Sequence, residues 1–246
     1  MKFFVVADVH SFYNEMMKAL QDMKFDRDNS DHVFVSLGDL MDRGPDSLKC
    51  LEFVNSLKRK ILIRGNHEDL IQDCIKRKQF LSHDYHNGTT ETIFQLVENI
   101  EKDPFEQARN NKLLQNYLDT CIDYYETRDY IFVHGWIPCN YSPFKNKYLF
   151  NNNWRTGNWE KSRWICGFDA WHDGVVVKNK TILCGHWHTS YAHSKYHNDG
   201  SEWKYNYVDS DDPKFYTFVD NGIMGLDGCT ACSGIVNCVV LNIEEE

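Results

Sequence analysis

Val33-Phe34-Val35-Ser36-Leu37-Gly38-Asp39-Leu40-Met41-Asp42-Arg43-Gly44-Pro45 is the stretch on which the fold turns. A short apolar run ends on Gly-Asp, and turn chemistry follows before the next regular pattern. Short runs rich in Val, Phe and Ile, bounded by Gly, Asn or Asp, read as buried strands. Functional residues in α/β sheets collect just past the carboxyl ends of such strands. The same grammar recurs in both directions. Phe3-Phe4-Val5-Val6-Ala7 runs into Asp8-Val9-His10, and Ile61-Leu62-Ile63 leads to Gly65-Asn66-His67-Glu68. Ile131-Phe132-Val133 runs into His134-Gly135, and Thr181-Ile182-Leu183-Cys184 into Gly185-His186-Trp187-His188.

Helical spacing fills the gaps between the first three runs. Met16, Met17 and Leu20 predict a helix over about 12–23; Leu48, Leu51, Val54 and Leu57 predict one over 46–58; Leu70, Ile71, Cys74 and Ile75 predict one over 68–78. Alternating strands and helices imply a largely parallel sheet. Residues 80–127 read as a helical insertion, interrupted near Asp103-Pro104. Residues 138–180 are loop-rich and aromatic and read as local core, and 189–214 as a polar loop. Strands over 215–219, 222–226 and 235–243 close the chain. No repeat or linker divides the 246 residues, so the expectation is one α/β domain over 1–246.

Hydrophobic residues are 42% and charged residues 26% of the chain, an ordinary globular balance. A formal charge of -9 argues against a nucleic acid polymer as partner, because that affinity comes mostly from Lys and Arg neutralising phosphates. No apolar run is long enough to span a bilayer, and Met1-Lys2 enters the first strand without a signal-peptide pattern. A cytoplasmic protein with no membrane partner is expected. Nine cysteines suit a reducing compartment, and Cys229-x-x-Cys232, with no second pair, reads as inert.

Seven potential metal ligands therefore crowd one rim of a sheet: Asp8, His10, Asp39, Asn66, His134, His186 and His188. Two cations held roughly 3.5–4 Å apart need a shared carboxylate between them, and Asp39 is the choice for it. Asp8 and His10 suit one metal, Asn66 and His134 the other. His186 and His188 point to opposite sides in extended chain, although a turn there aims one at each metal. Mixed nitrogen and oxygen ligation suits manganese, iron or zinc. Such ions lower the pKa of a bridging water and polarise a phosphoryl oxygen.

Asp8-x-His10, Gly38-Asp39-x-x-Asp42-Arg43-Gly44, Arg64-Gly65-Asn66-His67-Glu68, His134-Gly135 and Gly185-His186-x-His188 together resemble the calcineurin-like metallophosphoesterases. The second and third motifs, with Leu226-Asp227-Gly228-Cys229 to Gly234, are similar to the phosphoprotein phosphatase branch, the serine/threonine protein phosphatases. The resemblance implies a two-sheet αββα sandwich with a dinuclear site. It implies two divalent ions, manganese first, with iron, zinc or nickel as alternatives. Asp8, His10, Asp39 and His188 would hold one ion, and Asp39, Asn66, His134 and His186 the other. His67 would be the general acid and Asp42 the acceptor of its second N–H. Arg43 would clamp the phosphoryl group, with Arg163, ahead of Arg155, as second arginine. Ser11 and Trp136 stand where the family usually has glycine, and Gly-His-x-His is more typical of the wider superfamily.

Arg64 reads as a structural ion-pair partner and Glu68 as a first-turn helix residue rather than a base. The leading expectation is a metal-dependent phosphomonoesterase acting on phosphoserine or phosphothreonine in proteins, or on small phosphate esters. Symmetrical dinucleoside polyphosphate hydrolases are also similar, sharing Gly-Asp-Leu and Arg-Gly-Pro with residues 38–40 and 43–45. A reading of another class is a metal-binding scaffold without catalysis.

Overall fold

The computed structural model describes residues 1–197 and 214–244. Its strands are β1 (Lys2–Val6), β2 (His32–Ser36), β3 (Lys60–Leu62), β4 (Tyr125–Glu126), β5 (Tyr130–Phe132), β6 (Asn140–Ser142), β7 (Lys147–Leu149), β8 (Thr181–Cys184), β9 (Phe218–Asp220), β10 (Ile223–Gly225) and β11 (Cys238–Asn242). The first sheet has the order β11-β1-β2-β3, parallel except for β11. The second has the order β4-β5-β8-β10-β9, with β5, β8 and β10 parallel and antiparallel edges. β6 and β7 form a separate hairpin.

The apolar runs are nearly unbroken because both faces of each sheet are covered. Along β1, Phe3, Val5 and Ala7 face the second sheet, joining Val33, Val35, Phe132, Leu183 and Leu226 in the central layer. The Phe3 and Phe132 rings lie 5.8 Å apart there. Phe4 and Val6 face the other way, against a helical layer. That layer holds α1 (Tyr13–Asp22), α2 (Ser47–Ser56) and α3 (Asn66–Arg77), then α4 (Ser82–Asn87), α5 (Thr89–Gln95), α6 (Pro104–Asn110) and α7 (Lys112–Thr120). Ile93, Phe105, Leu114 and Tyr117 from the insertion share one core with Leu51, Val54 and Ile71. On the far face of the second sheet, Ile131, Val133, Ile182 and Ile223 pack with Trp136, Trp154, Trp159 and Phe168. Short helices α8 (Trp159–Ser162) and α9 (Gly167–His172) belong to this layer. The result is the αββα sandwich expected.

Four expectations need correcting. The helix predicted from residue 68 starts at Asn66, so two site candidates lie in its first turn. The supposed helical stretch 80–127 ends early: α7 stops at Thr120 and β4 follows, too short to show an apolar run. Residues 138–180 are not all loop, since they contain the β6–β7 hairpin, α8 and α9. The polar loop expected at 189–214 opens with α10 (Thr189–Ala192) and a π-helical turn over His193–His197; the rest of it lies outside the described residues, save Lys214. A last short helix, α11 (Thr230–Ser233), precedes β11.

Register brings the strand ends level. Val6 pairs with Ser36 and Ser36 with Leu62 in one sheet; Phe132 pairs with Leu183 and Leu183 with Met224 in the other. Asp8, His134, His186 and Asp227 each sit two residues past the end of a strand, while Asp39 and Asn66 sit three and four past theirs.

Candidate active site

The chain leaves these strands through strained backbone. Asp8, His10, Asp39, Asp42, Arg43 and His186 have φ of 48°, 50°, 52°, 73°, 65° and 67°. Left-handed conformation at non-glycine residues costs about 1–3 kcal/mol each and concentrates at functional sites. Glycines supply the clearance. Gly38, at φ 98°, abuts the Gly65 backbone and His134, so a Cβ there would lie 2.7 Å from Gly65 and 2.8 Å from His134 Nδ1. A Cβ on Gly185 would lie 2.0 Å from Asp8 Oδ2.

The loop at 37–42 aims three imidazoles. His10 Nδ1 donates to the Met41 carbonyl at 3.0 Å, and His134 Nδ1 to the Leu37 carbonyl at 2.8 Å. Carbonyls only accept, so each Nδ1 carries the proton and each Nε2 is presented inward. His67 Nδ1 meets Asp42 Oδ2 at 2.7 Å, and Thr89 Oγ1 donates to that same oxygen at 2.8 Å. Arg43 spans the rim, with Nη1 2.7 Å from His10 Nε2 and Nη2 3.2 Å from His67 Nε2.

Asp39 is central. Its Oδ2 lies 3.4 Å from His134 Nε2 and 3.9 Å from both His10 Nε2 and His67 Nε2. Two donor groups share it, His10–Asp39–His67 and Asp39–His134–His186, each with ligand atoms within 4.8 Å of one another. Asn66 Oδ1 joins the second group, 2.8 Å from His134 Nε2. Asp8 stands alongside, both carboxylate oxygens 3.0 Å from the His186 amide. His188 belongs to neither group; its Nδ1 meets Ser190 Oγ at 2.6 Å. The turn at His186 thus brings one histidine of the pair to Asp39.

Buried charge sets the electrostatics. Burial, then Asp227, pushes the Asp8 carboxyl well above the usual carboxylate range. Burial opposes ionisation of Asp39 too, but His134 and His67 outweigh it and hold Asp39 well below that range. His134 is pushed up to about 10: burial works against the cation, and Asp39 more than offsets it. Burial, then Arg43 and His67, drives His10 well below its ordinary value. Burial, then His134, lowers His186 to about 3. Asp8, Asp39, Asp42, Glu68 and Asp227 place five buried carboxyls in this neighbourhood, and buried carboxylates require cations or hydrogen bonds. Nitrogen and oxygen donors without thiolate fit divalent ions of the harder or borderline kind.

Two structural residues escape pattern reading. Glu68 is fully buried and accepts from the amides of Asp39 (3.0 Å), Leu40 (3.1 Å) and Gly65 (2.7 Å) and from the Tyr117 hydroxyl (2.8 Å). It is a bracket joining the 38–40 turn to α3, beyond the dipole role expected of it. Asp227 accepts from the Cys229 amide at 2.7 Å, and burial raises its carboxyl to about 6. The closing Leu226-Asp227-Gly228 motif carried the signal for Asp227; nothing periodic marks Glu68. The two departures from glycine are also explained. Ser11 takes φ of 62° and meets Ser47 Oγ at 2.7 Å, while Trp136 is core, its Nε1 donating to the Val175 carbonyl at 2.9 Å.

Arg163 is not in the cluster. Its Nη1 donates to Asp69 and its Nη2 to Asp123, both at 2.5 Å, and its buried Nε has no hydrogen-bond partner among the described residues. Arg155 is tied to Glu126 at 2.6 Å. Arg64 pairs with Asp69 at 2.7 Å, the structural role expected of it.

A sandwich whose level strand ends gather Asp, His and Asn around one shared aspartate defines a class. The chain belongs to the calcineurin-like phosphoesterases, whose family model matches residues 1–218. Metallophosphoesterases use divalent metals, and the two donor groups could hold them. A serine/threonine-protein phosphatase 1 of Salmonella typhimurium is 41% identical over 70 residues, 28% of this chain and 31% of that protein. A symmetrical bis(5'-nucleosyl)-tetraphosphatase of Buchnera aphidicola is 41% identical over 69 residues, 28% of this chain and 24% of that protein. The matched segment thus spans less than a third of either relative. The cold-active protein-tyrosine phosphatase of a psychrophilic Shewanella aligns with 98% of this chain and 75% of its own at TM-score 0.57 and 14% identity, a likeness of fold.

Proposed function

We propose that this chain is a metal-dependent phosphatase hydrolysing phosphomonoesters, with phosphoserine or phosphothreonine in proteins as the leading substrates. The observation that carries the reading is the Asp42–His67 pair at 2.7 Å, set beside Arg43 at the edge of the metal-ligand cluster. Asp8, His10, Asp39 and His188 are proposed for one divalent ion, and Asp39, Asn66, His134 and His186 for the other, manganese being the first choice. Such ions, when bound, neutralise phosphoryl charge and acidify a coordinated water.

The chain's own groups account for the rest. Asp42 keeps the His67 ring oriented, so that Nε2 can deliver a proton to the departing ester oxygen. Arg43 offers a planar pair of N–H donors to the phosphoryl oxygens. Arg163 is proposed as second arginine; to reach a phosphate its guanidinium gives up Asp69 or Asp123, and its unpaired Nε is then available. The residues around Asp39 are almost fully buried, which strengthens each of these interactions by excluding water.

The similarity to symmetrical tetraphosphatases favours a second reading, hydrolysis of a dinucleoside polyphosphate. Manganese-dependent phosphate release, run in parallel on a phosphothreonine peptide, para-nitrophenyl phosphate and diadenosine tetraphosphate, decides between them. Preference for the peptide is expected. Cleavage of the dinucleotide far above the peptide would replace this reading with the second, and an inert chain with every metal would favour a scaffold.

A further inference from the structure

We propose that Trp164 raises the activity of this site toward substrates that carry a planar aromatic ring near the phosphate, its indole forming the wall on which that ring packs. The proposal rests on the phosphoesterase reading above and adds a class of substrate to it.

Trp164 is 51% exposed, yet it is attached to the metal-ligand cluster. Its ring centroid lies 5.9 Å from that of His186 at 84°, an edge-to-face contact. Exposed Tyr141 pairs with Tyr148 in the hairpin, and exposed Tyr85 with Phe80 in the helical layer. Single exposed apolar residues need no explanation; one whose ring touches a residue of the site does.

The segment carrying the indole is fixed while the indole itself is open. The Trp136 amide donates to the Ser162 carbonyl at 3.1 Å, and the Trp164 and Ile165 amides close turns on Lys161 and Ser162 at 3.2 Å each. Gly135 packs so tightly there that a Cβ would lie 2.5 Å from the Ser162 carbonyl oxygen. A rigid stem therefore presents a large flat apolar surface beside His186. Such a surface gains most from a planar aromatic ring and little from the methylene of serine or threonine. Phenyl and adenine rings share that chemistry.

The test uses the full manganese-loaded chain, with Trp164→Leu and Trp164→Phe compared with wild type. Substrates are para-nitrophenyl phosphate and diadenosine tetraphosphate on the aromatic side, glycerol 2-phosphate and a phosphothreonine peptide on the aliphatic side. Trp164→Leu is expected to lower the aromatic-to-aliphatic ratio of kcat/KM by about 3- to 10-fold, the scale of one aromatic pair, mainly through KM. Trp164→Phe is expected to keep most of the ratio. The two aromatic substrates separate a phenyl from an adenine source. A ratio unchanged in Trp164→Leu overturns the proposal, because Trp164 then only props His186. Should wild type prove inert, the phosphatase reading falls separately, and calorimetric binding of phenylphosphonate against methylphosphonate still tests Trp164. The aromatic preference is expected to shrink in Trp164→Leu, and equal preference in both proteins overturns the idea.

Discussion

Asp42 is proposed to organise chemistry it does not itself perform. One of its oxygens receives His67 Nδ1 and Thr89 Oγ1, and its amide donates to Thr92 Oγ1 at 3.0 Å. Asp42→Asn leaves that frame nearly isosteric and removes the carboxylate that receives His67 Nδ1. Loss of an outer partner of this kind lowers activity by roughly 10–100-fold. We expect kcat on para-nitrophenyl phosphate to fall by that amount, with far-ultraviolet circular dichroism unchanged. A variant with wild-type kcat would remove His67 from the mechanism proposed. At this scale the residues brought around Asp39 were legible because each follows a short apolar run and a turn residue. Glu68 lies in the first turn of α3 as expected, but its bracing role was not legible, since a buried carboxylate that collects amides has the same letter as a solvated one. Arg163 was expected only from the family resemblance, and its geometry depends on Asp69 and Asp123, distant in sequence.

At the scale of elements, period and length decided what could be read. Strands β1, β2, β5 and β8 are apolar on both faces, so their runs stand out. Two-residue β4 and the half-exposed β6–β7 hairpin leave no such trace. The turn after β8 is held by another device. Asp169 on α9 accepts from Tyr191 Oη at 2.7 Å, Tyr196 Oη at 2.5 Å and Lys195 Nζ at 3.0 Å, joining α9, α10 and the π-turn. Partial burial works against this carboxylate, but the two hydroxyls and the ammonium prevail and hold it below its ordinary value of 3.8. A depressed carboxyl contributes stability that is present above the unfolded value and lost as pH falls through the folded one. Tyr191→Phe with Tyr196→Phe should therefore melt below wild type at pH 6, and the gap should narrow as pH drops below 3.8. Thermal melts across that range check it; a gap independent of pH would mean that the hydroxyls act by packing alone.

For the molecule as a whole, the central layer is where fold and site meet. Asp8, His10, Asp39 and Asn66 come from loops of the first sheet, and His134 and His186 from the second. Parallel strands in the first sheet were foreseeable from alternating strand and helix patterns; those of the second sheet were not. Which two sheets would form, and that they would stack with level ends, depends on long-range pairing such as Val6 with Cys238, which no local pattern encodes. A cation ligated from both sides would link the two sheets and stabilise only the folded chain. Such binding stabilises by about 2.7 kcal/mol at a hundredfold excess over Kd, and each kcal/mol moves the melting temperature of a chain this size by roughly 2–4 °C. Manganese is thus expected to raise Tm by roughly 5–10 °C over the chelated protein. Asp39→Asn, which weakens the shared ligand of both groups, should lose most of that rise. A Tm indifferent to manganese and chelator in wild type would mean that the buried aspartates and histidines serve the fold without a metal. An equal rise in Asp39→Asn would place the ion elsewhere on the molecule.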